Sequence, residues 1–116
     1  MSEALERSLD RLSRVRGVRG SMFVAAEDGL VVAQLLMEGV NGKAVAALAA
    51  ALARKVGGAA AATGAGRLSF VQMDASNGTL LLAPAPADLL IVALADPNVN
   101  VGLCRFEMIR AAEAQK

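Results

Sequence analysis

The hydrophobic pattern changes character along the chain. From Glu3 to Val15 it has the helical period, with Leu5, Leu9, Leu12 and Val15 on one side and charged residues on the other. Ser2 stands where a capping hydroxyl belongs, and Gly17 and Gly20 end the helix. Short apolar runs follow. Ser21 to Ala26 and Leu30 to Met37 read as strands joined by Glu27-Asp28-Gly29, in which Asp-Gly supplies positive φ. Gly39 to Gly42 is a loop whose Asn41 can cap the next helix. Arg67 to Ala75, Thr79 to Ala83 and Leu89 to Ala95 read as three further strands. Ser76-Asn77-Gly78 is a hairpin signal between the first two of them. Pro84 and Pro86, which cannot donate ladder hydrogen bonds, stop the fourth strand. Asp96-Pro97-Asn98 turns the chain into a last helix from about Val101 to Ala114.

The stretch from Lys43 to Thr63 stands apart. It reads as one long helix with almost no polar face, interrupted between Ala44 and Ala62 only by Arg54 and Lys55. Val45, Leu48, Leu52 and Val56 recur at offsets of 3, 7 and 11 and form an ordinary apolar stripe. Ala46, Ala50, Ala53 and Gly57 form a second stripe of small residues, which lets another backbone come close. A helix apolar all round is buried on more than one side. A chain of 116 residues has few elements to cover both sides, so a second copy is the economical partner. A transmembrane span is rejected. Alanine contributes little transfer energy, the glycines weaken the segment, and each basic residue near a bilayer centre costs about 2.5–3.5 kcal/mol.

The runs Leu80-Leu81-Leu82 and Leu89-Leu90-Ile91-Val92 do not alternate with polar residues, so these strands are buried on both faces. Helices must then cover both sides of the sheet. The expected fold is an α/β/α sandwich with element order α-β-β-α-β-β-β-α, as a single domain over residues 1–116 without repeats or linkers.

Composition narrows the chemistry. Net charge is +1, from 12 basic and 11 acidic residues, so no global field steers the chain to nucleic acid. Hydrophobic content is 55% but aromatic content only 3%, which suits a compact core plus an oligomer interface. The start of the chain is charged and amphipathic rather than a secretory leader. Cys104 is the single cysteine, which excludes an internal disulfide and makes the reducing cytoplasm the simplest location. Histidine, tyrosine and tryptophan are absent, which removes the commonest general base and zinc ligand. Neither a catalytic residue nor a metal or cofactor site is expected. Gly64-Ala65-Gly66 lacks the third glycine of a dinucleotide fingerprint and precedes a strand, so it reads as a connector. Asp28 reads as a turn former. Cys104 follows a helix start, where a thiolate is favoured, but reads as a small core residue. Arg7, Arg11 and Arg14, with Arg16 and Arg19 after them, form either a basic docking strip or a solvated face laced by Glu3–Arg7 and Asp10–Arg14 pairs; the solvated face is preferred.

The order of elements, with these turns, resembles the Roadblock/LC7 family over nearly the whole chain. The most specific part runs from Gly17 to Ala33, with a strand, Asp28-Gly29, and a second strand ending in alanine. Two further pieces match: the strand pair Leu80 to Pro84 and Leu89 to Val92, and Asn100-Val101-Gly102-Leu103 at the start of the last helix. The resemblance implies a five-stranded antiparallel sheet in the order 2-1-5-4-3, with the long helix on one face and the terminal helices on the other. It also implies dimerisation through the third strand and the long helix. Arg67 to Met73 would be an edge strand without an interior lysine or proline to block pairing. The residues expected at that interface are Ala46, Ala50, Ala53, Gly57, Ser69, Val71 and Met73.

Members of that family are mostly non-enzymatic platforms, and many bind or regulate Ras-like small GTPases. The expected function is therefore a cytoplasmic, prokaryotic, homodimeric interaction module for such a GTPase or a larger scaffold. No nucleic acid or membrane span is involved. Lys43, Arg54 and Lys55 are the charges expected to meet the partner. Two other readings stay open: a purely structural dimerisation domain, and a small-molecule sensor, against which the apolar strands argue.

Overall fold

The computed structural model describes residues 3–116, so the expected Ser2 cap lies outside the described residues. Along the chain come α1 (Glu3–Ser13), β1 (Val18–Ala25), β2 (Val31–Leu36), α2 (Gly42–Ala62), β3 (Val71–Ala75), β4 (Gly78–Ala85), β5 (Leu89–Ala95) and α3 (Val101–Glu113). The strands form one five-stranded antiparallel sheet in the order β2-β1-β5-β4-β3. α1 and α3 lie together on one face and α2 lies on the other. The sandwich and the strand order are those expected.

Each face has its own core. Leu5, Leu9, Leu12 and Val15 pack with Phe23, Leu81, Ile91, Cys104 and Met108 under the paired helices. The Ser13 and Ser21 hydroxyls lie 2.8 Å apart, and Ser21 donates to the Leu9 carbonyl at 3.4 Å, which ties α1 to β1. Gln115 donates to the Ser8 hydroxyl at 3.1 Å and holds the end of the chain against α1. On the other face Met22, Val24, Leu80, Leu82, Leu90 and Val92 lie beneath α2. Asn41 caps α2 by accepting from the Ala44 N–H at 3.1 Å, and Asn100 caps α3 in the same way.

Three boundaries depart from the sequence reading. β1 starts at Val18, because the chain after Gly17 already pairs with β5. β4 does not stop at Ala83 but continues through Pro84 to Ala85. The last rung of β3 is Val71 opposite Leu82. The β3–β4 hairpin closes on Ala75 and Gly78, so ladder bonds to β3 recur at alternate residues and Pro84 faces the side that β3 has already left. Its missing donor removes nothing there. Finally, β3 covers only Val71–Ala75, which leaves Arg67 to Phe70 outside the ladder.

Candidate interaction surfaces

The long helix carries the main correction. Ala46 and Ala50, expected to face a second copy, are 0% and 1% exposed within the single chain. They pack with Ala49 onto this chain's own sheet. The reason is the β1–β2 turn. Gly29 sits at φ +74, and a Cβ added there would lie 3.0 Å from the Ala47 Cα and 3.4 Å from the Ala50 Cβ. Only small side chains let α2 come this close. Of the larger stripe, Val45 and Leu52 reach the margin of the same core, while Leu48 and Val56 lie outside it. Leu48 is 69% exposed, and the other three are half-buried. The sequence signal for this inversion was present in the match of Gly29 to an alanine-rich helix, but both stripes have helical period.

The C-terminal half of α2 is different. No residue from Ala51 to Ala62 is fully buried. Ala53 and Gly57 are half-buried. A Cβ on Gly57 or Gly58 would meet nothing within 4 Å, so this chain's own packing gives no reason for either glycine.

β3 is an open edge of the sheet. The alternation set by the Ala75–Gly78 closure turns Val71 and Met73 toward β4 for backbone bonding and turns the main-chain groups of Gln72 and Asp74 outward. Val71 packs with the α2-side core, and Met73 is 45% exposed. Ser69 lies outside the strand, beside a small groove between β4 and α3.

The three basic residues separate. Arg54 donates to the carbonyls of Ala26 and Glu27 at 3.4 and 3.3 Å, so it holds the β1–β2 turn against α2. Lys43 and Lys55 are exposed and form no ion pair among the described residues. On α1, Arg7 pairs with Glu3 and Arg14 with Asp10, which makes this a solvated face laced as expected. Cys104 is fully buried, and burial pushes its thiol up from the ordinary value, so the thiolate reading is set aside.

Comparison with known proteins agrees with the fold. The sequence model of the Roadblock/LC7 domain matches residues 4–95. An uncharacterized protein of Methanocaldococcus jannaschii is 38% identical over 112 residues, covering 97% of this chain and 96% of the relative. Two solved structures superpose closely. The Roadblock/LC7 domain from Streptomyces avermitilis gives a TM-score of 0.85 at 20% identity, over 93% of this chain and 91% of that one. Myxococcus xanthus MglB gives 0.87 at 17% identity, over 97% and 92%.

Proposed function

The chain belongs to the Roadblock/LC7 family, and from that premise we propose that it is a non-enzymatic homodimeric module that binds or regulates a Ras-like small GTPase or a larger scaffold. The observation that carries the dimer is the pair Gly57 and Gly58. Glycine inside a helix costs about 0.8–1.0 kcal/mol relative to alanine. Nothing within 4 Å inside this chain requires it here. A second backbone approaching from outside gives both glycines a use. The surface around them is completed by Ala53, the half-buried Leu52 and Val56, exposed Leu48, and the edge residues Val71 and Met73. Joining β3 to its two-fold copy would satisfy the outward groups of Gln72 and Asp74 and remove the open edge.

Light scattering at micromolar concentration tests this. The wild type is expected to be a dimer, and Gln72→Pro, which deletes an outward donor while sparing the ladder to β4, should shift it toward monomer with helicity retained. A monomeric wild type would sink the reading.

The partner is expected to meet Lys43 and Lys55, since Arg54 is engaged with the β1–β2 turn. Reversing both lysines to glutamate should slow association with the GTPase and alter its salt dependence, because charge at an interface rim acts mainly on the on-rate. A pull-down with candidate GTPases in each nucleotide state identifies the partner. Stopped-flow association at two ionic strengths then measures the effect, and unchanged rates in the double mutant would move the docking site elsewhere.

A further inference from the structure

The opposite edge of the sheet is also open, and it is built differently. β2 ends the strand order, on the far side from β3, so the proposed dimer leaves it uncovered. Its backbone polarity can be assigned. The Met37 N–H donates to the Arg19 carbonyl at 2.9 Å, and the register places Leu35 opposite Ser21 and Ala33 opposite Phe23. Ladder bonds alternate along an antiparallel strand, so Met37, Leu35 and Ala33 bond β1, while the N–H and C=O groups of Gln34 and Leu36 point outward. From Leu30 to Met37 there is no charge and no proline, the devices that normally blunt an edge.

Beside this edge runs a groove of about 710 Å³ between α1 and β2. Leu9, Ala33 and Leu35 contribute to its apolar lining, and Glu6, Arg7 and Asp10 line it from α1. Leu35 is 43% exposed. A strand added to β2 would direct alternate side chains into this space.

Charge decides what the strand is. Glu27 and Asp28 stand before β2, Glu38 follows it, and Glu6 lines the groove. None of the four forms an ion pair among the described residues. The nearby arginines are engaged: Arg7 with Glu3, Arg14 with Asp10, Arg19 with Asp96, and Arg54 with the turn carbonyls. Exposed Lys43, next to the Gly42 that packs on Gln34 and Leu36, is a single cation without an ion pair among the described residues, against four carboxylates. A second copy pairing β2 with an antiparallel β2 would bring the Glu27–Asp28 end of one copy toward the Glu38 end of the other, an arrangement that like-charge repulsion opposes. A foreign strand with basic residues around an alternating apolar stretch meets them favourably.

We propose that the β2 edge is a strand-addition site for an extended segment of another protein, apolar at alternate positions and basic at its ends. The segment hydrogen-bonds to the outward groups of Gln34 and Leu36 and places its apolar side chains in the α1–β2 groove. The same carboxylates guard the uncharged edge against self-pairing.

The test uses the full chain as bait and a phage-displayed library of random linear peptides as the probe, with counter-selection on Gln34→Pro. That variant removes an outward donor and no bond to β1. Enriched peptides should alternate apolar residues between lysines or arginines. They should slow hydrogen exchange at the Gln34 and Leu36 amides. Their affinity should fall on the order of tenfold in Gln34→Pro and in Leu35→Lys, where a charge enters the groove. Circular dichroism on each variant confirms that the fold is kept. Failure to enrich, peptides with a helical spacing of apolar residues, or equal binding to both variants overturns the proposal. So does protection of the two amides in the free protein that grows with concentration, which would assign the edge to a second copy. These readouts concern β2 alone, so they stand or fall apart from the dimer through β3.

Discussion

The two halves of α2 are made of nearly the same small residues and have opposite fates. In the first half, Ala46, Ala49 and Ala50 are buried beneath the turn at Gly29 and against the sheet. In the second half, Gly57 and Gly58 look onto open space. Small residues mark close approach, but they do not say what approaches. The first half accommodates this chain's own backbone. In the second half, past Leu52 and Ala53 at the margin of the α2-side core, no residue is fully buried. One helix is therefore a wall of the core over part of its length and, in the proposed dimer, a docking surface over the rest.

The sharpest way to break this comparison is a charge in the first half. Ala50→Glu would bury a carboxylate without a partner, at a cost of several kcal/mol. Urea unfolding should show severe loss of stability or failure to fold, rather than separation of intact monomers. A folded, monomeric Ala50→Glu protein would mean that this face is outward after all.

Gly29→Ala is the next largest. It forces an alanine into a left-handed backbone at φ +74 and drives its Cβ against α2. The conformational term alone is about 1–2 kcal/mol. Denaturant melts should show at least this loss, with the Arg54 clamp on the turn weakened as well.

Gly57→Leu tests the second half, and its two effects have opposite signs. Replacing a helix glycine should stabilise an isolated monomer by about 0.8 kcal/mol. The same side chain would hold a second copy away. Sedimentation should show weaker dimerisation, while thermal unfolding under monomeric conditions should show no loss. A stabilised and equally tight dimer would remove Gly57 from the interface.

The sequence made the architecture legible because local signals agreed with one another. Asn41 caps α2, Asp28 and Gly29 shape the β1–β2 turn, and the unbroken apolar runs of β4 and β5 mark the centre of the sheet. The orientation of α2 was not legible. Its two stripes both repeat with helical period, and only the position of Gly29 in space chooses between them. Pro84 misleads for a related reason. A proline stops a strand only where its missing donor faces a neighbour, and β3 had already ended. The groove beside β2 left no signature, since it arises from the placement of α1 over distant residues.

The place of β5 between β1 and β4 bears on how the chain is made. The β1–β2 and β3–β4 hairpins are local in sequence and can form early. They cannot join directly, because the strand that links them comes last. While the ribosome is still producing residues 89–95, Val24 lacks Leu90 and Leu82 lacks Val92. The nascent chain thus holds two half-sheets with apolar edges until its final strand emerges. Such long-range closure slows folding and prolongs the exposure of sticky edges. For this molecule, the core closes only once β5 has been made.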